Sequence, residues 1–440
     1  MDEKMVNVGL AGFGTVGAGV AKLILESGDQ IAAKTGIRLN LACVVDLDVD
    51  TPRPVTLPDG ILTSDVQVLF HESIDIVIEL IGGTGYARTL QLDSLKAGKH
   101  VVTANKALLA EHGKELYQVA REMKRCIAFE ASCAGGIPIV SAILTGLAAN
   151  DIQGMYGIVN GTCNYILSNM SAKGTGFAET LAQAQEKGYA EADPALDING
   201  GDSTHKLAIM GSLAFGCEIT LEDIFREGIE DISIDDIRYG QELGYTLKLL
   251  AIGQKQDNGK ISLRVHPAFI LNDCALARVD GPFNAVSMFG DAVGEVMFYG
   301  RGAGMMPTAS AVVADVIEVA MGNSCNTFEH TRIVPKAEVD GRIESIDECV
   351  SRFYIRVMAK DHPGVMATCT RILADHQISI SGALQHEAKA PHACVPVVIT
   401  THETQEKNMM AALRDMTESH VITGQPRCIR IVDIPEDREA

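Results

Sequence analysis

A doubly wound parallel α/β domain, an α+β domain after it and a small βαββαβ module at the C-terminus form the architecture that the sequence predicts. Three observations predict it. Apolar strand-like segments alternate with helical ones over residues 1–135, the pattern of parallel βαβ units. A glycine-rich turn joins the first of those strands to the first helix. Residues 352–434 run strand, helix, strand, strand, helix, strand, the order of a ferredoxin-like sheet.

Taken in order, residues 5–9 (MVNVG) read as a short buried strand, and AGFGTVGAGVAKLILESG as a turn running into an amphipathic helix. LNLACVVD (39–46), IDIVIELIGG (74–83), VVTANK (101–106) and CIAFEASC (126–133) are the next strands, with YARTLQLDSLKAG and LLAEHGKELYQVARE as helices between them. Residues 136–304 mix strand candidates such as MYGIVN and SLRVHPAFI with helices such as GDSTHKLAIMGSLAF. The run 306–322 is strongly helical and is expected to pack back on the first domain. The polar stretch 323–351, with Pro and Gly, reads as a linker to the terminal module.

The chain has 440 residues, 47% hydrophobic and 21% charged, an ordinary globular composition. A single core rarely grows past roughly 250–300 residues, so several domains are expected. A net charge of -20 repels phosphate backbones and argues against nucleic-acid binding. No run of about 18 apolar residues suits a bilayer, and the start MDEKMVNVGL lacks the apolar core of a signal peptide. A cytoplasmic protein with no membrane partner is expected. The 11 cysteines are irregularly spaced, with no CxxC pair, so buried reduced thiols are expected rather than a disulfide framework.

Gly12, Gly14 and Gly17 make a GxGxxG motif after a strand and into a helix, with Asp46 closing the second strand. The first glycine permits the tight turn, the second lets a pyrophosphate approach the backbone, and the third lets helix pack on strand. The helix N-terminus then offers N–H groups to phosphate. This marks a Rossmann-type site for NAD or NADP. Asp46 suits the ribose hydroxyls of NAD and Arg53 the 2′-phosphate of NADP; the sequence leaves both open. Gly82, Gly83 and Thr84 end the third strand with small residues, leaving room for the cofactor at the carboxyl edge of the sheet.

Lys106 follows VVTAN directly and is expected to project from that same edge. The stretch 187–216 gathers Glu191, Asp193, Asp197 and Asp202 before a helix that carries Lys206 in its first turns. Asp202 and Lys206 are four apart and share a face. The helix dipole disfavours a cation there and the carboxylate offsets it, which is how a lysine is tuned for proton transfer. An i,i+4 acid–base pair alone is commonly a solvated face; the apolar LAIMGSLAF that follows argues against full exposure.

Together these pieces resemble homoserine dehydrogenase. The phrases that carry the likeness are GFGTVG (12–17), TANKALLA (103–110), EASCAGGIPIV (130–140), VNGTCNYIL (159–167), residues 187–207 and FGDAVGEVMFYGRGAGMMPTASAVVAD (289–315). DHPGVMATCTRILADHQISI (361–380) looks like an ACT domain, the regulatory module of amino-acid enzymes. The resemblance implies reversible NAD(P)H-dependent reduction of aspartate semialdehyde to homoserine, with Lys206 as proton donor and Lys106 and Asp202 beside it. It implies cofactor contacts from Gly12, Phe13, Gly14, Thr15, Val16, Gly17, Asp46, Arg53, Gly82, Gly83, Thr84, Asn105 and Lys106. Glu191 would bind the substrate ammonium, Asp197 and Asp202 would hold the substrate, and Gly161 and Thr162 would line its pocket. Glu130 with the carbonyls of Cys133, Gly135 and Ile137 matches a sodium-binding loop, sodium or potassium being the expected ion. A homodimer or homotetramer, and an effector amino acid with threonine first, are implied by the family alone. The chain departs from the family pattern at Cys163, often Thr or Met, and at Cys133, often Val.

Two rivals are carried. An aldehyde dehydrogenase would use Cys163 or Cys133 as nucleophile, a scheme with no role for the lysine and carboxylate set. A nucleotide-binding sensor would keep the fold without needing Glu191, Asp202 and Lys206. A fused kinase is not expected, because the nucleotide strand starts at residue 5.

Overall fold

The computed structural model describes residues 3–331, 343–360, 363–387 and 394–435. It divides into two compact units that interleave along the chain: Met1–Gly161, Asp202–Ile224 and Pro282–Val339 form the first, and Thr162–Gly201, Phe225–Gly281 and Asp340–Ala440 the second. Consecutive segments were the expectation from sequence. Local periodicity identifies elements, but a pairing such as that of 152–158 with 283–290 is invisible to it.

In the first unit β1 (Lys4–Ala11), β2 (Ile37–Val45), β3 (Leu62–Thr63), β4 (Ile76–Glu79), β5 (His100–Thr103) and β6 (Ile127–Ala128) form a sheet ordered β3-β2-β1-β4-β5-β6. Every pairing in it is parallel. All four residues of β4 are buried, as suits a parallel strand covered on both faces. Helices α1 (Thr15–Thr35), α2 (Tyr86–Lys96) and α3 (Lys106–Glu122) connect the strands. The strand order reverses between β1 and β4, and ligands bind beyond the carboxyl ends of strands at such a switch point.

Two local expectations are corrected. VVTANK does not stay extended to Lys106: β5 ends at Thr103, and Lys106 is the first residue of α3. Asn105 forces the change, because its side chain accepts the Leu108 N–H at 3.2 Å and caps the helix. CIAFEASC forms only the two-residue β6, followed by a 3-10 turn at Glu130–Ser132.

The first unit is completed by β7 (Ile152–Ile158), α4 (Gly201–Phe215, from Asp202 on), β8 (Phe283–Gly290), β9 (Gly294–Arg301), α5 (Met305–Met321) and α6 (Asn323–His330). β8 pairs antiparallel with both β7 and β9. α5 lies against α1 closely enough that a Cβ on Gly19 would stand 3.0 Å from Ala309 Cβ. Residues 323–330, expected to open a linker, form α6 instead. Gly322 takes the left-handed conformation that ends α5 and starts α6, and buried Phe328 anchors α6 edge-on to Tyr117 at 5.9 Å.

In the second unit strands Tyr245–Lys255 and Ile261–Leu271 form a hairpin, and Ile261–Leu271 pairs parallel with Ile422–Ile431. Val350–Lys360 lies antiparallel between Ile422–Ile431 and Cys394–Thr401, and Ile380–Gln385 takes the far edge. Helices Val365–Asp375 and Glu406–Glu418 cover this sheet over a core that includes Phe353, Ile355, Val357, Leu373, Met409 and Met416. This is the expected βαββαβ module. Asp361 and His362, the first half of its expected effector-binding turn, lie outside the described residues; Gly364, with φ +103, precedes the first helix.

One buried ion pair ties this module to its own unit. Arg430 and Glu406 meet at 2.6 and 3.0 Å, and Arg430 also reaches Glu227 at 2.7 Å while lying over the Phe225 ring. Removing one member of a buried pair leaves the other charge uncompensated, at about 3–5 kcal/mol. Arg430→Ala, which strands the buried Glu406 carboxylate, is therefore expected to lower stability by that order in equilibrium urea unfolding. An unchanged midpoint would show that the pair contributes nothing net.

Among the described residues no single helix is long and apolar enough to cross a membrane.

Candidate active site

The glycine turn between β1 and α1 separates the three roles physically. Gly12 has φ +94, and a Cβ there would meet the Leu80 carbonyl at 2.6 Å. At Gly17 a Cβ would fall 2.0 Å from the Gly12 oxygen. At Gly14 it would meet nothing within 4 Å. So the outer glycines serve the fold, and the middle one keeps space open on the exposed side. Thr15 and half-buried Val16 start α1 on a Gly14 N-cap that makes no side-chain hydrogen bond, leaving the first-turn amides for an anion.

Asp46 and Arg53, alternatives in the sequence, clasp the backbone of the same residue, Phe13. Asp46 Oδ2 accepts the Phe13 N–H at 2.5 Å, and Arg53 Nε donates to the Phe13 carbonyl at 2.7 Å. The Arg53 guanidinium stands 5.8 Å from the Phe13 ring centroid and 3.2 Å from Asp48.

Across the switch point one residue missed at the sequence level organises the loop after β4. Glu79 is fully buried, yet it receives four hydrogen bonds. Ile81 N–H and Gly82 N–H donate to Oε1 at 2.9 and 3.3 Å, and Gln91 and Thr103 donate to Oε2 at 2.8 Å each. Gly82 and Gly83 are exposed at φ +74 and +71, with half-buried Thr84 next, and Asn105 donates to the Gly83 carbonyl at 2.7 Å. The signal was present: an acid ending an otherwise apolar strand has to be paired if buried.

The lysines converge on one carboxylate. Asp202 Oδ2 accepts from Lys206 Nζ at 2.7 Å and from the Asn160 amide at 2.8 Å, while Oδ1 lies 3.2 Å from Lys106 Nζ. Lys206 also donates to the Val159 carbonyl at 2.6 Å. Asp202, Lys206 and Asn160 are buried and Lys106 is half-exposed. Burial opposes the Asp202 charge, but the two ammonium groups and the hydrogen bonds from Lys206 and Asn160 outweigh it, holding this carboxyl well below its ordinary range. Because the folded value is depressed below the unfolded 3.8, the stability this carboxylate contributes is fully present above that pH and lost as pH falls below it. The group was legible as Asp202–Lys206 and Lys106; Asn160 and the Val159 carbonyl, brought by the end of β7, were not. Gly161 closes that segment, where a Cβ would stand 2.8 Å from the Pro282 carbonyl.

Thr162, Glu191 and Asp197 belong to the second unit. There Thr162 donates to the Tyr189 carbonyl at 2.7 Å, Glu191 is exposed, and the half-buried Asp197 accepts the Cys163 thiol at its carbonyl, 3.2 Å away.

The loop after β6 is cramped. Glu130 is buried, its carboxylate accepting the Val140 and Ser141 N–H groups at 2.8 Å each, and its own N–H donates to Asp315 at 2.8 Å. Burial pushes both acids up. Ala134 and Gly135 follow at φ +52 and +53, and a Cβ on Gly135 would stand 2.4 Å from the Gly302 oxygen. The Cys133 thiol is pushed up to about 12 by burial, and the Cys163 thiol is also buried. An ionised nucleophile at Cys133, which the aldehyde dehydrogenase rival could use, is thus disfavoured.

A parallel sheet that opens its switch point over a turn with room for pyrophosphate, in the same unit as a buried lysine–carboxylate pair, is the frame of a nicotinamide-dependent oxidoreductase. Family models agree along the chain: the homoserine dehydrogenase NAD-binding domain matches residues 12–130, the homoserine dehydrogenase domain 138–317 and the ACT domain 353–417. The homoserine dehydrogenase of Pseudomonas aeruginosa is 41% identical over 433 residues, 97% of this chain and 99% of that one. A crystal structure of a homoserine dehydrogenase from Thiobacillus denitrificans is 39% identical with a TM-score of 0.88, covering 98% of this chain and 99% of that one. A hyperthermophilic archaeal homoserine dehydrogenase mutant in complex with NADPH is 28% identical with a TM-score of 0.59, over 72% of this chain and 98% of its own. The chain belongs to the homoserine dehydrogenase family.

Proposed function

We propose that the enzyme reduces L-aspartate 4-semialdehyde to L-homoserine, reversibly, with Lys206 donating the proton to the carbonyl oxygen. The observation that carries this is the Lys206 ammonium, buried and held between the Asp202 carboxylate and the Val159 carbonyl. A bound NADPH or NADH supplies the hydride. As the aldehyde carbon is reduced, negative charge grows on its oxygen, and a positioned ammonium there both stabilises that charge and gives up a proton. Asp202 orients Lys206, Asn160 orients Asp202, and Lys106 adds a second positive group facing cofactor and substrate. In the reverse direction a neutral Lys206 takes the homoserine hydroxyl proton, so alkaline solution favours oxidation.

Gly12, Phe13, Gly14, Thr15, Val16 and Gly17 bind the pyrophosphate side of the cofactor, Asp46 and Arg53 the adenosine ribose, and Gly82, Gly83, Thr84, Asn105 and Lys106 the nicotinamide side. Glu191 and Asp197 take the substrate's ammonium and polar groups, and Gly161 and Thr162 line its pocket. The positive φ values at Ala134 and Gly135 support a loop wrapped on a sodium or potassium ion by Glu130 and the carbonyls of Cys133, Gly135 and Ile137; an all-oxygen set suits a hard cation. Since the Glu130 carboxylate already accepts two N–H groups, it adds charge to that loop more than a free ligand. β9, paired on one side by β8, supports a homodimer or homotetramer built on its outer edge, where Val293 and Tyr299 stand exposed. The irregular cysteine spacing, with no CxxC pair, supports a reducing cytoplasmic setting. The ACT module binds an amino-acid effector, threonine first.

Steady-state oxidation of NADPH and of NADH with aspartate semialdehyde, with and without threonine, tests the reaction, the cofactor preference and the effector together. Cofactor consumption dependent on the semialdehyde, and its reduction by threonine, are the expected results. No cofactor consumption on adding the semialdehyde would leave only the sensor reading.

A further inference from the structure

Away from the lysine site, the first unit brings two thiols and an imidazole together. Cys126 directly precedes β6, Cys325 lies on α6, and His100 starts β5. Cys126 Sγ stands 2.9 Å from Cys325 Sγ, and His100 Nδ1 lies 3.3 Å from the first and 3.5 Å from the second. The two cysteines are 199 residues apart, so only the fold makes them neighbours. Cys126 is buried, while Cys325 and His100 are partly open to solvent.

Their acidities diverge. The thiol of Cys126 hydrogen-bonds Cys325 and, with His100 and the charge of Arg125, draws Cys325 down against its burial; the same hydrogen bond and burial push Cys126 up. Burial pushes up Cys43, Cys133, Cys349, Cys369 and Cys428. Of the two, Cys325 is the one drawn toward the thiolate, the form that attacks a peroxide, and a second thiol is already in contact with it.

A soft metal is the competing occupant of such a cluster, and the geometry speaks against it. Two thiolates on one tetrahedral zinc, at Zn–S about 2.3 Å, lie roughly 3.8 Å apart, well beyond the 2.9 Å between these sulfurs. His100 Nδ1 also accepts the Cys126 N–H at 3.2 Å, a lone pair that a metal would take away.

We propose that Cys126 and Cys325 are a peroxide-oxidised pair that closes into a reversible disulfide. Cys325 sulfur attacks one peroxide oxygen: an S–O bond forms, the O–O bond breaks, and the departing hydroxide takes up a proton as water. Cys126 sulfur then attacks the Cys325 sulfenic acid: the S–S bond forms, the S–O bond breaks, and the leaving hydroxide takes the Cys126 proton and departs as water. Two thiols are oxidised, one peroxide is reduced to two waters, and a dithiol reverses the change. The bond staples α6 to the strand that leads into the Glu130 loop.

The test uses the full-length enzyme, reduced and dialysed against chelator, then given one equivalent of hydrogen peroxide. Expected are the loss of two alkylatable thiols, a Cys126–Cys325 linked peptide by mass spectrometry, and a thermal midpoint raised by several degrees and restored by dithiothreitol. Cys126→Ser is expected to keep a normal midpoint but show no rise, accumulating sulfenic acid at Cys325 that dimedone traps. Peroxide that oxidises other cysteines while Cys126 and Cys325 stay alkylatable would overturn the proposal. So would stoichiometric zinc in the enzyme as purified that shields both thiols until chelator is added.

Discussion

Lys206→Ala is expected to turn over roughly 10²–10⁴-fold more slowly than the parent enzyme, the range that a general acid supplies, while its affinity for NADPH is expected to stay within a few-fold. The separation follows from where the side chain is held. Lys206 touches Asp202 and Val159, and none of its contacts belongs to the glycine turn. The variant leaves Asp202 with Lys106 at 3.2 Å and Asn160 at 2.8 Å, so the carboxylate keeps partners and the fold survives. Lys206→Arg is not expected to restore turnover, because guanidinium scarcely gives up a proton near neutral pH. Single-turnover kinetics with aspartate semialdehyde reads the effect, and fluorescence titration reads cofactor affinity. Normal turnover by the alanine variant would remove Lys206 from the chemistry.

The second large effect is expected at the glycine turn, where two substitutions should part company. Gly17→Ala drives a Cβ to 2.0 Å from a backbone oxygen, so the turn must shift. Forced displacement of that kind costs about 1–3 kcal/mol, which is roughly 10- to 100-fold in dinucleotide affinity if all of it falls on the bound geometry. Both the thermal midpoint and NADPH binding should fall. Gly14→Ala meets no atom within 4 Å, so it should leave the midpoint of the free enzyme alone and still weaken NADPH, by occupying the space a pyrophosphate needs. Equal losses of stability in the two variants would show that Gly14 is a packing position after all.

What the sequence revealed and concealed follows from the range of each interaction. The turn at Gly12, Gly14 and Gly17 is local, and its spacing alone separates three jobs. Asp202 and Lys206 are one helical turn apart, so their pairing follows from periodicity. The second lysine required a fold: Lys106 belongs to the site because α3 starts there, not because β5 ends there. Asn160 and the Val159 carbonyl come from the end of β7, and nothing near them in the chain announces the partner they meet. Glu79 carried a readable sign, an acid in an apolar strand, yet its four donors come from the following loop, α2 and β5. Cys126 and Cys325 gave none, since irregular cysteine spacing cannot reveal a contact across 199 residues.

The terminal module is commonly imagined as a sensor hung on an enzyme by a tether. Here its last strand, Ile422–Ile431, hydrogen-bonds in parallel to Ile261–Leu271, and Arg430 of that strand grips Glu227. Any movement of the module would therefore be passed to the backbone of the neighbouring hairpin through that pairing. Cutting the module away would unpair Ala268 and Phe269 from their parallel neighbours, so the module is a part of this unit's sheet and not an appendage to it.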